Sequence, residues 1–262
     1  MEQVTGAKPA FSPRIRQYEA AGFRAWPAAS VHYDGTWMVR LTASHPAKRL
    51  NSINSLDPAD ASSIETRLAR AAQRFRAYGR PLTIRVTPLT PPDLIHYCDQ
   101  KGWSRIGASL IMEAPINRMP LADVVNQLPL RDFGRFVEAA IATGSVMAAN
   151  RAGLSEIIGA VEPAKGLFLR ENSGAAQSTL VCVQDGQLAG LFEVATALEF
   201  RRKGHARALL LAAIKWAAAK GAQKAWLQVE EGNDAALQLY SQLGFTPFYR
   251  YHYRVAPDGA LL

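Results

Sequence analysis

The residues best equipped for chemistry lie in the stretch Glu193-Val-Ala-Thr-Ala-Leu-Glu-Phe-Arg-Arg-Lys-Gly-His-Ala-Arg207. An apolar strand is expected to end near Thr196, a short loop to turn, and a helix to begin near Gly204. The loop and first turn carry Arg201, Arg202, Lys203 and Arg207. A helix N-terminus leaves N–H groups unpaired and carries about half a positive charge. Cations there oppose the macrodipole by roughly 0.3–1 kcal/mol each, so four of them ask for an anion. Gly204 lets a ligand approach the backbone closely, and Ala206 keeps the first turn uncrowded. The combination predicts a pyrophosphate cradle. The competing reading is a solvated basic helix start. The matching point of the first half argues against it: Asp57-Pro-Ala-Asp60-Ala-Ser62 opens a helix conventionally, with acids and proline.

A second constellation follows: Asn233-x-x-Ala236-x-x-Leu239-Tyr240-x-x-x-Gly244-Phe245. On periodicity alone Tyr240 is a core aromatic beside Leu237, and Asn233 is a helix N-cap. Together with Arg201-x-x-Gly204-x-Ala206, after a strand and opening a helix, the pair resembles the acetyl-CoA segments of the GNAT superfamily of N-acetyltransferases. The resemblance covers roughly residues 120–262. Leu227-Gln-Val-Glu-Glu and Tyr251-His-Tyr-Arg resemble bacterial tandem members whose N-terminal copy is degenerate. The resemblance implies that Val194, Ala195 and Thr196 offer backbone groups to the pantetheine arm. It implies that the amides from Arg202 through Lys203, Gly204, His205 and Ala206 to Arg207 bind the pyrophosphate, His205 being a variable surface position. Asn233 would hydrogen-bond near the pantetheine. Tyr240 would lie by the thioester sulfur and protonate the leaving thiolate.

The general base departs from the family pattern. Attack on a thioester needs a neutral amine, so a protonated amine must lose a proton. Members that act on ribosomal-protein N-termini place a Glu five residues before the Asn; here Gln228 stands there and cannot take the proton. Glu193 is the expected substitute, weighed against an outward-facing residue on a half-exposed strand. Glu230, Glu231 and a water relay are further candidates.

These residues need a scaffold, and the chain suggests one built twice. Asp34-Gly35 and Asp185-Gly186 each sit between apolar runs and read as hairpins with type I′ turns. A helix follows each: Ile64, Leu68, Ala71, Phe75 and Tyr78 mark one face in the first half, Ala206, Leu210, Ala213 and Ala217 in the second. Gly79 and Gly221 occupy C-cap positions. Strands are expected at 82–87 and 224–230, then helices ending at Gly102-Trp103 and Gly244-Phe245. Ile64 and Ala206, Gly79 and Gly221, Gly102 and Gly244 are all 142 apart. Two further helical patterns, around Phe133/Phe136/Val137/Ala140 and Leu154/Ile157/Ile158, precede the second unit. The first half lacks the equipment: Arg201, Gly204, Ala206, Asn233 and Tyr240 become Ala59, Ser62, Ile64, Pro91 and Cys98.

Composition bounds the rest. The 262 residues are 48% hydrophobic and 20% charged, which suits a globular chain and excludes intrinsic disorder. No run approaches the roughly 18 apolar residues of a membrane span, and Met1–Phe11 shows no secretion signal. Cys98 and Cys182 lie too far apart for a zinc cluster, and the histidines have no metal-ligand spacing, so no metal is expected. The net charge of +8 is uneven: residues 1–120 hold 16 basic and 9 acidic residues, residues 121–262 hold 14 and 13. The four arginines 67, 70, 74 and 76 read as a solvated face.

The expectation is therefore an α/β tandem GNAT fold of two mixed, mainly antiparallel sheets with flanking helices. Residues 1–119 form a GNAT-like copy without a cofactor motif, and residues 120–262 the catalytic domain. It is expected to be cytoplasmic and to move acetyl from acetyl-CoA to a primary amine of an unknown acceptor by direct attack. The alternatives are a transferase using another acyl-CoA, or a non-catalytic acyl-CoA-sensing or nucleic-acid-binding module. No membrane partner is expected, and nucleic acid is disfavoured.

Overall fold

The computed structural model of the chain describes residues 12–257 and 259; the reading of Met1–Phe11 lies outside them. The first element is a helix, α1 (Ser12–Ala25), on which the sequence analysis places no motif. The first half continues with strands β1 (Ser30–Asp34), β2 (Trp37–Leu41) and β3 (Ser52–Ser55), helix α2 (Ile64–Ala77), β4 (Thr83–Val86), α3 (Pro92–Gln100) and the long β5 (Ser104–Pro115). Two helices follow, α4 (Phe133–Ala142) and α5 (Arg151–Ala160). The second half then runs β6 (Ala164–Asn172), β7 (Ala175–Asp185), β8 (Leu188–Thr196), α6 (His205–Ala218), β9 (Lys224–Glu230), α7 (Asp234–Gln242) and β10 (Thr246–Val255).

The strands form one ten-stranded sheet in the order β1-β2-β3-β4-β10-β5-β9-β8-β7-β6, where the sequence suggests two sheets. The two parts of the sequence are joined through β5 and β10. β10 leaves its own half to lie antiparallel to β4, and β5 lies antiparallel to β9. β5 and β10 then pair with each other along the middle, from Thr246 opposite Glu113 to Val255 opposite Ser104. Each half thus closes the strand edge the other would leave open. Only β3–β4 and β8–β9 are parallel.

Period-2 alternation sends successive side chains to opposite faces. Leu180 and Cys182 of β7 pack under α6 with Leu210, Ala213 and Ala217. Val181 and Val183 pack under α4 and α5 with Phe136, Val137, Leu154 and Ile157. In the first half Ile84 and Val86 meet Leu68 and Phe75 of α2 and Cys98 of α3. Helices α2, α3, α6 and α7 therefore share one face, and α1, α4 and α5 the other.

The hairpin turns differ from expectation. The β1–β2 and β7–β8 loops are the pairs Gly35-Thr36 and Gly186-Gln187. Only the glycines have positive φ, 59° and 58°. That pattern belongs to type II′, with glycine first, rather than type I′. Both centres are left-handed instead at Ser173-Gly174, between β6 and β7.

Candidate active site

β8 ends at Thr196, a single 3-10 turn spans Leu198–Phe200, and α6 starts at His205 with Gly204 as its N-cap. Arg202 and Gly204 both hold left-handed backbone, φ 63° and 80°. The N–H of Ala208 bonds the Gly204 carbonyl at 3.0 Å. The amides of His205, Ala206 and Arg207 precede the helical ladder and have no intrahelical acceptor. A Cβ added to Gly204 meets nothing within 4 Å, so the space beside this N-cap is open. Arg201, Arg202, Lys203 and Arg207 are exposed around it. Arg201 Nε donates to the Thr196 carbonyl (3.3 Å) and Lys203 Nζ to that of Glu199 (3.0 Å). His205 is half-buried: its ring stands edge-on to Phe200 at 6.1 Å, and its Nδ1 is buried without a partner. The preceding 3-10 turn brings Phe200 back onto it.

The corresponding loop of the first half is filled by its own acid. The Asp60 carboxylate accepts from the Thr36 amide (2.9 Å), the Thr36 hydroxyl (2.7 Å) and Arg67 Nη1 (2.8 Å). Arg67, 4% exposed and so not part of the solvated arginine face expected from the sequence, holds that carboxyl well below the usual range.

β8 and β9 are paired only from Leu188–Lys224 to Leu191–Leu227. Beyond that β8 stays with β7, Ala195 opposite Thr179 and Thr196 opposite Ser178. β9 stays with β5 to Glu230 opposite Ser109. The strands part at a bulge: the β7–β8 register shifts between Thr179 and Val181, and Glu193 has φ 49°. Bulges of this kind re-aim a side chain and end pairing. The half-buried residues Val194, Ala195 and Thr196 thus form a strand edge with no ladder partner on the β9 side.

Glu193 is not the outward-facing residue of the competing reading. Its side chain is 10% exposed and ion-pairs with Arg49, while Ser145 Oγ donates to Oε2 at 2.7 Å. The Arg49 guanidinium lies 4.4 Å over the Trp26 ring. Arg49, Ser145 and Trp26 are functional candidates that sequence reasoning missed. Arg49 stands 144 positions from Glu193, and no local spacing signals a contact made across the sheet.

Tyr240 is 6% exposed in the α6–α7 core, with its ring 5.9 Å from Phe245. Burial pushes its pKa up to about 12. A buried tyrosine hydroxyl usually finds a partner; this one bonds no described residue. Tyr240 and the Arg49 partner of Glu193 thus belong to opposite faces of the sheet, Tyr240 with the α6–α7 core and Arg49 over Trp26. Asn233 is the exposed N-cap of α7, its side-chain oxygen accepting the Ala236 amide at 3.2 Å. Gln228 accepts from Tyr251 Oη at 2.8 Å. Glu231 pairs with Arg250 at 2.8 Å, and Glu230 is exposed at the strand end. Among the described residues no group of three or more His, Cys, Asp or Glu could hold a metal ion. No helix there is long and apolar enough to cross a membrane.

The site is thus a loop of unpaired amides ringed by cations, beside a parted pair of parallel strands. The family model described as "Probable histone acetyltransferase Rv0428c C-terminal" matches residues 12–254. The chain belongs to this family. It is 24% identical over 249 residues to an uncharacterised N-acetyltransferase of Bacillus subtilis, covering 92% of this chain and 98% of that one. Over 73 residues it is 37% identical to the [Ribosomal protein bS18]-alanine N-acetyltransferase of Haemophilus ducreyi, covering 28% of this chain and 50% of that one. Among solved structures, a GCN5-related N-acetyltransferase from Kribbella flavida superposes with a TM-score of 0.70 at 17% identity, covering 96% and 98% of the two chains. A tandem GNAT protein from the clavulanic acid biosynthesis pathway gives 0.63 at 16% identity, covering 91% and 86%. The protein is an acetyltransferase of the GNAT type.

Proposed function

We propose that the protein transfers the acetyl group of acetyl-CoA to a primary amine, binding one donor molecule in residues 120–262. The observation that supports this most is the open loop at 201–207 beside the unpaired edge of β8. The amides of Arg202 to Arg207 receive the pyrophosphate, with Arg202 and Arg207 free of ion-pair partners among the described residues. Val194 to Thr196 meet the pantetheine arm as an added strand would, and Asn233, whose side-chain nitrogen its cap role leaves unused, lies beside it. Residues 1–119 are a GNAT-like copy whose own loop is closed by Asp60. The two buried free cysteines suit a reducing cytoplasm.

Bound acetyl-CoA supplies a thioester carbonyl open to attack. The amine nitrogen bonds to that carbon as the carbon–sulfur bond breaks. Glu193, held by Arg49 and Ser145, takes the proton lost from the amine. Tyr240, protonated throughout the neutral range, gives its proton to the departing sulfur. No covalent enzyme intermediate is required.

The test is free-thiol release from acetyl-CoA with a broad amine panel. Turnover with at least one amine is expected. Binding without turnover on any amine would return the protein to the sensing reading. Once an acceptor is in hand, Glu193→Gln should flatten the acid limb of the pH–rate profile; an unchanged limb moves the base to a water relay.

A further inference from the structure

Behind Arg49, under α1, lies a cavity of about 20 Å³, room for about one water-sized group. Glu19 and Phe23 of α1 face the sheet residues Arg40, Arg85 and Gln228 across it. Three arginines line this space, and two have carboxylate partners. Arg85 ion-pairs with Glu19, the two being 5% and 4% exposed, and Tyr249 Oη donates to the other Glu19 oxygen at 2.5 Å. Arg49 pairs with Glu193. Arg40 is 3% exposed and pairs with no carboxylate among the described residues. Its terminal nitrogens reach only backbone carbonyls, those of Trp26 and Arg49, and it lies 4.8 Å from the centre of the Phe23 ring. Its Nε is buried with no acceptor. Burial, reinforced by the positive charge of Arg85, brings its pKa down to about 10. A buried guanidinium without a counter-ion is costly. A protein that keeps one beside its reacting centre has a use for the missing anion.

We infer that this cavity is an anion subsite, and that the carboxylate of the acceptor fills it, so that the acceptor is an amino acid or another small amine carrying a carboxylate. The inference rests on Glu193 marking the amine end, and Arg49 joins the two: it lines the cavity and pairs with Glu193. Size selects the anion. A space of about 20 Å³ suits a small planar carboxylate better than a bulkier tetrahedral phosphate. The guanidinium fork matches carboxylate geometry.

The first arm uses no donor. Sodium formate is titrated against the full-length protein at constant ionic strength, with formamide, its neutral isostere, as control. Formate should raise Tm saturably in the wild type, and formamide should not. Arg40→Met should lose the formate effect while keeping a formate-free Tm at or above the wild type's, because an uncompensated buried charge is gone. Phosphate, which the 201–207 loop can bind, should shift Tm equally in the wild type and in Arg40→Met. The second arm needs no variant: kcat/KM for glycine and β-alanine should exceed that for methylamine and ethylamine at least tenfold. Formate no better than formamide, or an undiminished formate effect in Arg40→Met, overturns the subsite. Turnover of bare amines as fast as their carboxylated partners overturns it while leaving the transferase reading intact. Formate binding without turnover of any amine sinks the transferase reading and leaves the subsite standing.

Discussion

At the residue scale, the two clearest cases are Tyr240 and Gly204, because each separates packing from chemistry. The Tyr240 ring packs in the α6–α7 core, and its hydroxyl has no partner to lose. Tyr240→Phe should therefore change stability by less than about 1 kcal/mol. A positioned acid contributes roughly 10²–10⁴-fold; coenzyme A thiolate is a fair leaving group, so a fall in kcat of about 10² is expected, with little change in acetyl-CoA affinity. Steady-state kinetics and calorimetry on the variant check this, and a wild-type kcat would return Tyr240 to a purely packing role. Gly204→Asp places a carboxylate where the phosphates are proposed to sit. The left-handed φ of 80° costs the new residue about 1 kcal/mol, and no atom lies near its Cβ. A negative charge at a helix start is otherwise favourable, so circular dichroism should show a native fold. Acetyl-CoA binding should be lost, and Gly204→Asn, with the same backbone demand and no charge, should retain part of it. Tight binding by folded Gly204→Asp would put the pyrophosphate elsewhere.

At the element scale, the segment after β2 matters because it carries Arg49 to Glu193. It is fastened to α5: Ser44 Oγ donates to Glu156 at 2.5 Å, and a Cβ on Gly153 would stand 2.3 Å from the Ser44 carbonyl oxygen. Only glycine allows helix and segment to touch this closely. Gly153→Ala must push Ser44 outward, costing about 1–3 kcal/mol as overpacking does. Arg49, five residues on, should move with it. The expected outcome is a lower Tm together with a kcat/KM reduced at least tenfold at temperatures where the variant is still folded. Full activity below Tm would show that Arg49 does not position Glu193.

At the scale of the whole molecule, the single ten-stranded sheet predicts that the chain folds as one unit. β10 has β4 on one side and β5 on the other, both from the first half. Fragments 1–119 and 120–262 expressed separately should each be less stable than the intact chain, and co-expressed they should purify as a complex. A 120–262 fragment with the full chain's Tm would contradict this. Calorimetry of the intact chain with acetyl-CoA should give one site, because Asp60 and Arg67 close the equivalent loop of the first half. Two sites would mean that this loop opens.

How much of this was legible in the sequence follows from the range of the forces involved. Helix α6 and its glycine cap, strand β9, the N-cap role of Asn233 and the repeated spacing of α3 and α7, beginning at 92 and 234, are written locally. Apolar periodicity, capping chemistry and the positive φ of a glycine act within a few residues, so the order of residues is enough to see them. The fate of Glu193, the partnerless hydroxyl of Tyr240, the single sheet and the arginine cavity are not local. They depend on which residues meet across 66 to 230 positions of chain, such as Arg85 with Glu19, Arg49 with Glu193 and Tyr249 with Glu19. An arginine reads the same in sequence whether its counter-charge is present or missing. Only the packed structure, which removes water from Arg40 and gives it no carboxylate in return, distinguishes the two.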